Sequence, residues 1–316
     1  MLIQVYNPDL TLKTVLNRFS SLQHVSNFYE NGSFELHSDI DVIDVNDVIV
    51  FSAYGQTFGG IALKKVQTLI DNQILGVDLK GALSFRYNIN TSNKSSAHAA
   101  AFIHDYIFDI LPSGNRALPT IDTGWDNSIG AVLDSGPRRV GYLDEIVNNL
   151  SNQYAVGVTC EFDITNRKLW FKCGQGTTRT GIVFSSALKS STGDTFTDDI
   201  SGTYTVAYVG GDWRGTSSPG SGLLRREGAS NETISGYMSP AVLIEHQRGQ
   251  FIECQPTDKF KFGVDYFLGD KVSVRFGGST LTEQITSIEQ VYEKENTLLK
   301  LTFGKIKTNT FRKILR

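Results

Sequence analysis

Apolar and polar residues alternate along the C-terminal part of the chain. Val272, Val274 and Phe276 are separated by polar residues, and apolar side chains at every second position are typical of a half-buried strand. The same alternation returns in residues 299–303, after a polar turn at 293–296. These segments predict strands that follow one another in a small barrel or sandwich.

The residues between these segments predict a turn and an irregularity. Gly269 and Asp270 end the preceding run, because Gly adopts positive φ readily and Asp can bond to its own turn. Ile285, Ile288 and Val291 do not keep a period of two. We therefore expect a β-bulge or a bend inside that segment.

Residues 1–92 have the pattern of strands throughout. Asn31-Gly32 lies between apolar residues, which is a strong hairpin signal. The Gly-rich segment 54–60 predicts a turn leading into a strand over 61–66. This part of the chain therefore predicts a first β-domain.

The middle of the chain changes to a helical period. Helices are predicted over 97–111, with Ser95 or Ser96 as N-cap and Pro112 after its end, and over 141–154. A hairpin follows over 156–173. The apolar stripes are Phe102, Ile103, Tyr106, Ile107 and Ile110 in the first helix and Leu143, Ile146, Val147 and Leu150 in the second. Together these elements predict a compact α/β insert.

After residue 174 the chain returns to strands, at 182–184 and 204–209. Residues 210–222 are the segment richest in Gly and Ser. That composition predicts a long exposed loop.

Composition excludes several classes of protein. The chain has 316 residues, a formal net charge of -3 and a pI near 6.0, which gives no global case for binding nucleic acid or a membrane. The first residues lack the basic region and apolar core of a secretory signal. No run approaches the roughly 18 apolar residues of a membrane helix. We expect a protein made in the cytoplasm, not exported by a Sec-type signal and not inserted in a membrane.

The three cysteines are Cys160, Cys173 and Cys254, and none forms a CxxC pair. Cys is commonly a small core residue, which favours buried free thiols. Cys160 and Cys173 belong to the two arms of the predicted hairpin. A disulfide between them stays an open alternative.

Candidate metal and phosphate sites have weak support. His98 and His104 are six residues apart, unlike the one-turn spacing of a zinc helix. The aspartates Asp39, Asp41, Asp44 and Asp47 suggest calcium, but they lack the spacing and closing Glu of an EF-hand, so solvated turn carboxylates are favoured. Residues 176–181 lack the GK[ST] sequence of a phosphate loop. No metal or cofactor is predicted.

Candidate catalytic clusters have no better support. Glu245 and His246 are neighbours, and neighbouring strand residues face opposite sides. Residues 220–222 lack the strand-to-helix context of a hydrolase nucleophile. We predict no catalytic residues and no enzyme activity.

The order of these modules resembles a known family. The first hairpin contains Gly32-Ser-Phe-Glu-Leu36, and a Gly-Gly-Ile turn is expected at 59–61. A Gly-rich Ala-Tyr-Val-Gly-Gly passage at 207–211 and Arg225-Arg226-Glu227 come before the terminal strands. In this order the chain is similar to siphophage baseplate hub proteins, also called tail-associated minor tail proteins, whose fold is shared with contractile-tail hubs.

This resemblance implies a β-rich α+β fold of the phage tail hub type, with two barrel-like β-domains and a two-helix α/β insert. The implied domains are a first barrel-like domain in part (1–92), the α/β insert (93–173), return strands with the Gly/Ser-rich loop (174–240) and a second barrel-like domain (241–316). The function implied is that of a structural, non-enzymatic protein.

The resemblance also implies a place and partners. The protein is expected in the virion at the distal tip of the tail, as a homotrimer that caps or gates the tail tube and opens for DNA passage. Its implied partners are a hexameric distal tail ring protein, the tape-measure protein and, through indirect contacts, receptor-binding proteins. DNA would meet it only in transit. Because little chain follows the terminal strands, we expect no separate cell-wall hydrolase within it.

Four residues are candidates for contact with a partner or ligand: Trp213, Arg214, Lys305 and Lys307. The basic segment 305–316 could face DNA or an acidic ring, although a solvated terminus is favoured. An alternative function is a receptor- or carbohydrate-binding tail protein that stacks sugars on Trp125, Trp170 or Trp213. A peptidoglycan hydrolase is the remaining alternative.

Overall fold

The computed structural model describes most of the chain and divides it into two units. The described residues are 1–108, 117–121, 124–199, 206–209, 212–215, 221–225, 227–230, 249–293 and 296–305. The first unit comprises Met1–Asp194 and Cys254–Thr302, and the second comprises Thr195–Glu253 and Phe303–Arg316. The four predicted domain ranges stay predictions.

Strands account for most of the secondary structure. In chain order they are β1 Ile3–Tyr6, β2 Leu12–Leu16, β3 Ser21–Asn27, β4 Ser33–Ser38, β5 Val48–Ala53, β6 Gln56–Gln67, β7 Asn72–Asp78, β8 Tyr87–Asn88, β9 Asn93–Lys94, β10 Ala97–His98, β11 Thr120–Ile121, β12 Val132–Leu133, β13 Gly136–Pro137, β14 Gly141–Tyr142, β15 Gly157–Asp163, β16 Lys168–Gly174, β17 Thr178–Phe184, β18 Ser191–Asp199, β19 Val206–Val209, β20 Asp212–Gly215, β21 Glu227–Ser230, β22 Gly249–Pro256, β23 Lys271–Phe276, β24 Ser279–Glu293 and β25 Thr297–Lys305. The α-helices are α1 Ala99–Phe108 and α2 Leu143–Tyr154, and 3₁₀ helices cover Leu79–Phe85, Ser186–Leu188 and Gly222–Leu224.

The first unit is built on an antiparallel run of strands in the order β24-β3-β4-β7-β6-β5-β1-β2. Alternation sets its core, as in β4, where Phe34 and Leu36 are buried between half-buried neighbours. In β5 all four residues from Val48 to Phe51 are buried, so both faces of that strand are covered. The neighbouring strand β1 is covered by β15, whose Phe162 ring meets Tyr6 edge-on at 4.8 Å.

The predicted hairpin at Asn31-Gly32 is confirmed, since it joins β3 to β4. A Cβ on Gly32 would lie 1.9 Å from Val25 O. No side chain fits at that distance, so glycine is required by close backbone approach.

The turn predicted at Gly59-Gly60-Ile61 is wrong, because these residues lie inside β6. The turn before them is at Tyr54-Gly55, where both residues have positive φ. The glycines serve packing: a Cβ on Gly60 would lie 2.3 Å from Phe34 Cδ1, and one on Gly76 in β7 would lie 2.3 Å from Phe34 Cε1. The two glycines thus make room for one phenylalanine ring.

The terminal strands are confirmed, and they share a strand with the first sheet. Val272 and Val274 are buried in β23. The 15-residue β24 pairs through Ser279–Gln284 with β23 and through Ser287–Glu293 with β3. The predicted irregularity near Ile285 is the point where β24 passes from one partner to the other.

The β-rich α+β class is confirmed, but the described sheets are open and do not close into barrels. The first unit instead has β2 at the free end of its antiparallel run. Among the described strands, only β1 pairs with β2, so the antiparallel run ends at β2.

The insert has the predicted helices and hairpin, and each helix begins two residues later than predicted. Residues 109–116 lie outside the described residues, so the predicted end of the first helix is not described. In α2 the predicted stripe of Leu143, Ile146, Val147 and Leu150 is buried. Strands β15 and β16 pair antiparallel with Cys160 opposite Phe171 and Cys173 opposite Val158. All three cysteines are free, so the disulfide alternative is wrong.

The second unit contains a three-stranded sheet in which β19 lies between β20 and β21. It pairs antiparallel with β20 and parallel with β21. The loop predicted over 210–222 is wrong for Asp212–Gly215, which forms β20, and for Gly222–Leu224, which is a 3₁₀ helix. Pairing with β19 supplies hydrogen bonds that Gly/Ser composition alone does not suggest.

Candidate functional site

The structure describes three of the four predicted contact residues. Trp213 and Arg214 lie in β20, opposite Tyr208 and Ala207 of β19. Lys305 is the last residue of β25, and Lys307 lies outside the described residues. The contact roles of all four stay predictions.

The acidic cluster near the start of the chain forms ion pairs. Lys13 Nζ lies 2.7 Å from Asp44 Oδ2 and 2.7 Å from Asp47 Oδ2, and Lys65 pairs with Asp41 and Asp44. Arg18 pairs with Asp39. Lysines and an arginine thus neutralise the oxygens that calcium would need. In the part of the chain that the structure describes, no group of three or more His, Cys, Asp and Glu could hold a metal ion.

The histidines and tryptophans singled out in the sequence have structural contacts. His98 Nδ1 lies 2.8 Å from Gly130 O. His104 packs against Phe108 and Trp125, and Trp125 Nε1 donates to Ala100 O at 3.1 Å. Lys172 Nζ lies 3.8 Å from the centre of the Trp170 ring. Glu245 and His246 lie outside the described residues.

A buried ionic cluster joins the first hairpin to the 3₁₀ helix at Leu79–Phe85. Lys80 is 2% exposed, and its Nζ donates to Asn27 O at 2.9 Å. Burial lowers the pKa of Lys80 to about 8 and raises the pKa of Glu30 to about 7. Asp78 accepts from Gly81 N at 3.0 Å, and burial raises its pKa.

The same cluster reaches the insert, since Asn152 Nδ2 of α2 donates to Glu30 Oε1 at 3.2 Å. Its arrangement is that of a junction between elements.

A group of large apolar side chains is exposed beside the insert. Strands β8 and β14 pair antiparallel with Tyr142 opposite Tyr87, and the two rings meet edge-on at 5.2 Å. Three more large apolar side chains are exposed in the adjoining residues: Phe85 at the end of the 3₁₀ helix, Ile89 after β8 and Val140 before β14. This tyrosine face consists of Phe85, Tyr87, Ile89, Val140 and Tyr142, which are between 41% and 69% exposed.

A second exposed apolar feature is the hairpin tip, residues 68–71 between β6 and β7. Leu69 is fully exposed and Ile70 is 85% exposed. The turn beneath them is well bonded: Thr68 N donates to Asp71 O at 2.9 Å, and Asp71 N donates to Thr68 Oγ1 at 3.0 Å. A fixed turn thus holds two aliphatic side chains in solvent.

Sequence reasoning missed both features. The alternation Phe85, Tyr87, Ile89 has the same pattern as a half-buried strand. Leu69 and Ile70 are apolar residues next to turn residues, and an exposed apolar pair in a turn is the signal that could have found them.

Comparison with known proteins gives likeness across nearly the whole chain. A 43 kDa tail protein of prophage MuSo2 from Shewanella oneidensis matches with a TM-score of 0.61 and 12% identity, covering 96% of each chain. Prophage tail protein gp18 from Listeria monocytogenes matches with a TM-score of 0.52 and 16% identity, covering 99% of this chain and 97% of that one. The chain has the fold of phage tail proteins. At these identities the likeness concerns the fold alone.

The hub type of the predicted fold is supported by a further structure. The E. coli c3393 protein, described as a type VI secretion system component similar in structure to T4 bacteriophage tail proteins gp27 and gp5, matches with a TM-score of 0.51 and 9% identity. It covers 92% of this chain and 74% of that one. The predicted hub-like tail fold is confirmed.

Sequence comparison adds one match. A family model described as siphovirus ReqiPepy6 Gp37-like protein matches residues 240–305. No curated protein sequence matches the chain. Among the described residues, no helix is long and apolar enough to cross a membrane.

Proposed function

We propose that the protein is a structural component of a bacteriophage tail, located in the virion at the distal tip of the tail. The observation that supports this most is the likeness to two prophage tail proteins over 96% and 99% of the chain. The siphovirus family model on residues 240–305 agrees with it.

In its finer form, the proposal is a homotrimeric hub that caps or gates the tail tube and opens for DNA. Its partners would be a hexameric distal ring protein and the tape-measure protein, with receptor-binding proteins contacted indirectly. Two exposed apolar features in the first unit, the tyrosine face and the hairpin tip, support an assembling protein, because exposed apolar patches mark interaction sites. The role is mechanical and needs no catalytic group.

The alternative of sugar binding receives no support from Trp125 or Trp170. The Trp125 ring packs against His104 and its indole nitrogen is bonded to Ala100 O. Lys172 covers the Trp170 ring. These contacts occupy part of each ring on which a sugar would stack.

The test is to locate the protein in particles. Particles from a strain that carries the gene would be purified, labelled with an antibody against the chain and imaged by electron microscopy, with protein copies per tail counted by quantitative mass spectrometry. We expect label at one end of the tail and about three copies, as threefold symmetry requires.

A deletion strain complemented with the intact gene is the matched control. Without complementation, we expect particles whose tail tips are incomplete. Complete tails that lack the protein would overturn the proposal. Label at the tip with a copy number other than three would overturn the trimer and leave the tail location standing.

A further inference from the structure

We propose that Glu30 and Asn31, in the loop of the first hairpin, separate from α2 when the Glu30 carboxyl ionises. The loop comprises residues 28–32, between β3 and β4. The inference goes beyond the proposed function and does not depend on it. It makes the contact between the loop and α2 a device that responds to pH.

The loop and α2 meet through polar side chains. Asn31 Nδ2 donates to Asp144 Oδ2 at 3.2 Å, and Asn152 Nδ2 donates to Glu30 Oε1 at 3.2 Å. Asp144, Asn148 and Asn152 follow one another at a spacing of four, so they lie on one side of the helix. The helix therefore offers the loop a polar stripe.

The apolar side of α2 is used elsewhere. Leu143, Ile146, Val147 and Leu150 are buried, and the helix packs against α1 and the 3₁₀ helix at residues 79–85. The start of the helix is also fixed, since Leu143 N donates to Arg86 O at 2.9 Å. The helix thus keeps its apolar contacts when the loop separates from it.

The closed contact leaves polar atoms without partners. Among the described residues, no hydrogen bond reaches Asn31 Oδ1 or Asn148 Oδ1, and both atoms are buried. A buried acceptor without a donor costs free energy, and water would supply the donor if the contact opened. Two hydrogen bonds therefore favour the closed contact and two unpaired acceptors oppose it, which brings the closed and open states close in free energy.

Glu30 is the titratable group of this contact. It is half-buried in the closed state, and burial raises its pKa to about 7. Removing a carboxylate from water costs far more free energy than removing the neutral acid. Ionisation therefore favours the open state, in which water reaches the carboxylate.

The other titratable groups of the junction come from four elements. Lys80 of the 3₁₀ helix is buried and acts on Glu30 through its charge. Asp78, at the end of β7, acts in turn on Lys80. Asp144 of α2 accepts from the loop. Burial raises the pKa of Cys160 of β15, so that thiol stays neutral.

The direction of the pH dependence follows from Glu30. In a solvated loop its pKa is 4.5, and in the closed contact it is about 7. The closed state keeps a proton that the open state has lost, so closing is favoured most below pH 4.5 and this advantage disappears as the pH rises to 7. The ratio of open to closed molecules should rise by up to about 300-fold. Burial lowers the pKa of Lys80 to about 8, so Lys80 acts in the opposite sense and only above pH 8.

The test is hydrogen exchange of the full chain, followed by mass spectrometry of its peptides at pH 5.5, 6.5 and 7.5. The variant is Glu30→Gln, which keeps an oxygen for Asn152 and cannot ionise. Glu289→Gln is the matched control, because Glu289 also accepts from an amide side chain, that of Gln23, but at an exposed position. Comparing proteins at the same pH cancels the intrinsic pH dependence of exchange.

We expect the exchange rate of the parent, divided by that of Glu30→Gln, to rise roughly 20-fold from pH 5.5 to 7.5 in peptides that cover residues 28–32 and α2. Glu289→Gln should match the parent at each pH. Asn152→Ala removes the donor on α2, so its loop should exchange faster than that of the parent already at pH 5.5.

Two results would overturn the proposal. One is a ratio of parent to Glu30→Gln that does not change with pH. The other is an equal rise in peptides that cover β5 and β6, because the whole first unit would then loosen and the effect would not belong to the loop. Neither result bears on the tail location, and absence of the protein from tails would leave the pH response of the loop untouched.

Discussion

Arg179 Nε of β17 donates to Asp270 Oδ2 at 2.7 Å, across 91 residues of chain. Asp270 is 3% exposed and also accepts from Thr177 N at 2.9 Å and from Phe267 N at 3.1 Å. One buried carboxylate thus fixes the turn before β23 and the start of the strand that pairs with it.

Replacing that carboxylate should destabilise the first unit. Asp270→Asn removes the charge and about half of the acceptor capacity, so the free energy of unfolding should fall by about 3 kcal/mol. Urea denaturation of the parent and variant measures the change. Arg179→Gln is the comparison variant. It should lower the free energy of unfolding by less than Asp270→Asn does, because the Arg179 side chain is 33% exposed. Equal losses for both variants, or a loss under about 0.5 kcal/mol for Asp270→Asn, would contradict this role.

His24 should make stability depend on pH in the acid range. It is 2% exposed, and its Nε2 lies 3.1 Å from Gly59 O, so Nε2 carries the proton that a carbonyl accepts. Burial lowers the pKa of His24 to about 4. The unfolded chain binds a proton below about pH 6.5 that the folded chain excludes, so the free energy of unfolding should fall between pH 6.5 and 4, by up to about 3 kcal/mol.

His24→Gln keeps a donor for Gly59 O and removes the titration. Unfolding measured at pH 7, 5.5 and 4 should therefore show a smaller loss in the variant than in the parent. The prediction fails if the difference in unfolding free energy between the two proteins is constant over this range.

Gly60→Ala should disrupt the centre of the first sheet. The new methyl group would lie 2.3 Å from Phe34 Cδ1 and 2.5 Å from Val77 O, and the backbone atom cannot move away. We expect a loss of at least about 3 kcal/mol in the free energy of unfolding. Gly174→Ala in β16 is the matched control, because its nearest atom would be Gly176 N at 3.9 Å. A Gly60→Ala variant as stable as Gly174→Ala would overturn the packing role.

The three cysteines should stay reduced and react slowly. Opposite residues in the β15–β16 ladder are Cys160 with Phe171 and Cys173 with Val158, so the sulfurs do not face each other. Burial raises the pKa of Cys173 to about 11 and that of Cys254 to about 12. Alkylation without reductant should add three labels to the unfolded chain, measured by intact mass. Labelling of the native chain at pH 8 should be much slower, since the thiolate is the reactive form. An intact mass lower by two hydrogen atoms than that of the fully reduced chain, measured before labelling, would indicate a disulfide and contradict this assignment.

Local patterns predicted the elements well where packing agrees with them. The stripe of Leu143, Ile146 and Val147 predicts α2, and Asn31-Gly32 predicts the first hairpin, because both signals are contained within a few residues. Gly59 and Gly60 were assigned to a turn because glycine is common there. Their actual role depends on the Phe34 ring, which comes from a different strand.

Long-range pairing lay beyond the sequence pattern. Gln290 of β24 lies opposite His24 of β3, 266 residues earlier, and neither residue signals the other. The tyrosine face was missed for a related reason. Whether Tyr87 and Ile89 are covered or exposed depends on what packs above the β8–β14 ladder, and periodicity alone gives the same pattern in both cases.

β24 pairs with β23 along its first part and with β3 along its last part, and this arrangement has a mechanical consequence. A strand of 15 residues is roughly 50 Å long, and its antiparallel hydrogen bonds run perpendicular to it. Tension along β24 would load the bonds of both ladders in shear, so that they resist together instead of peeling apart singly. β24 thus connects β3, from the N-terminal part of the chain, to β23, from the C-terminal part, and a force applied to either strand is transmitted to the other.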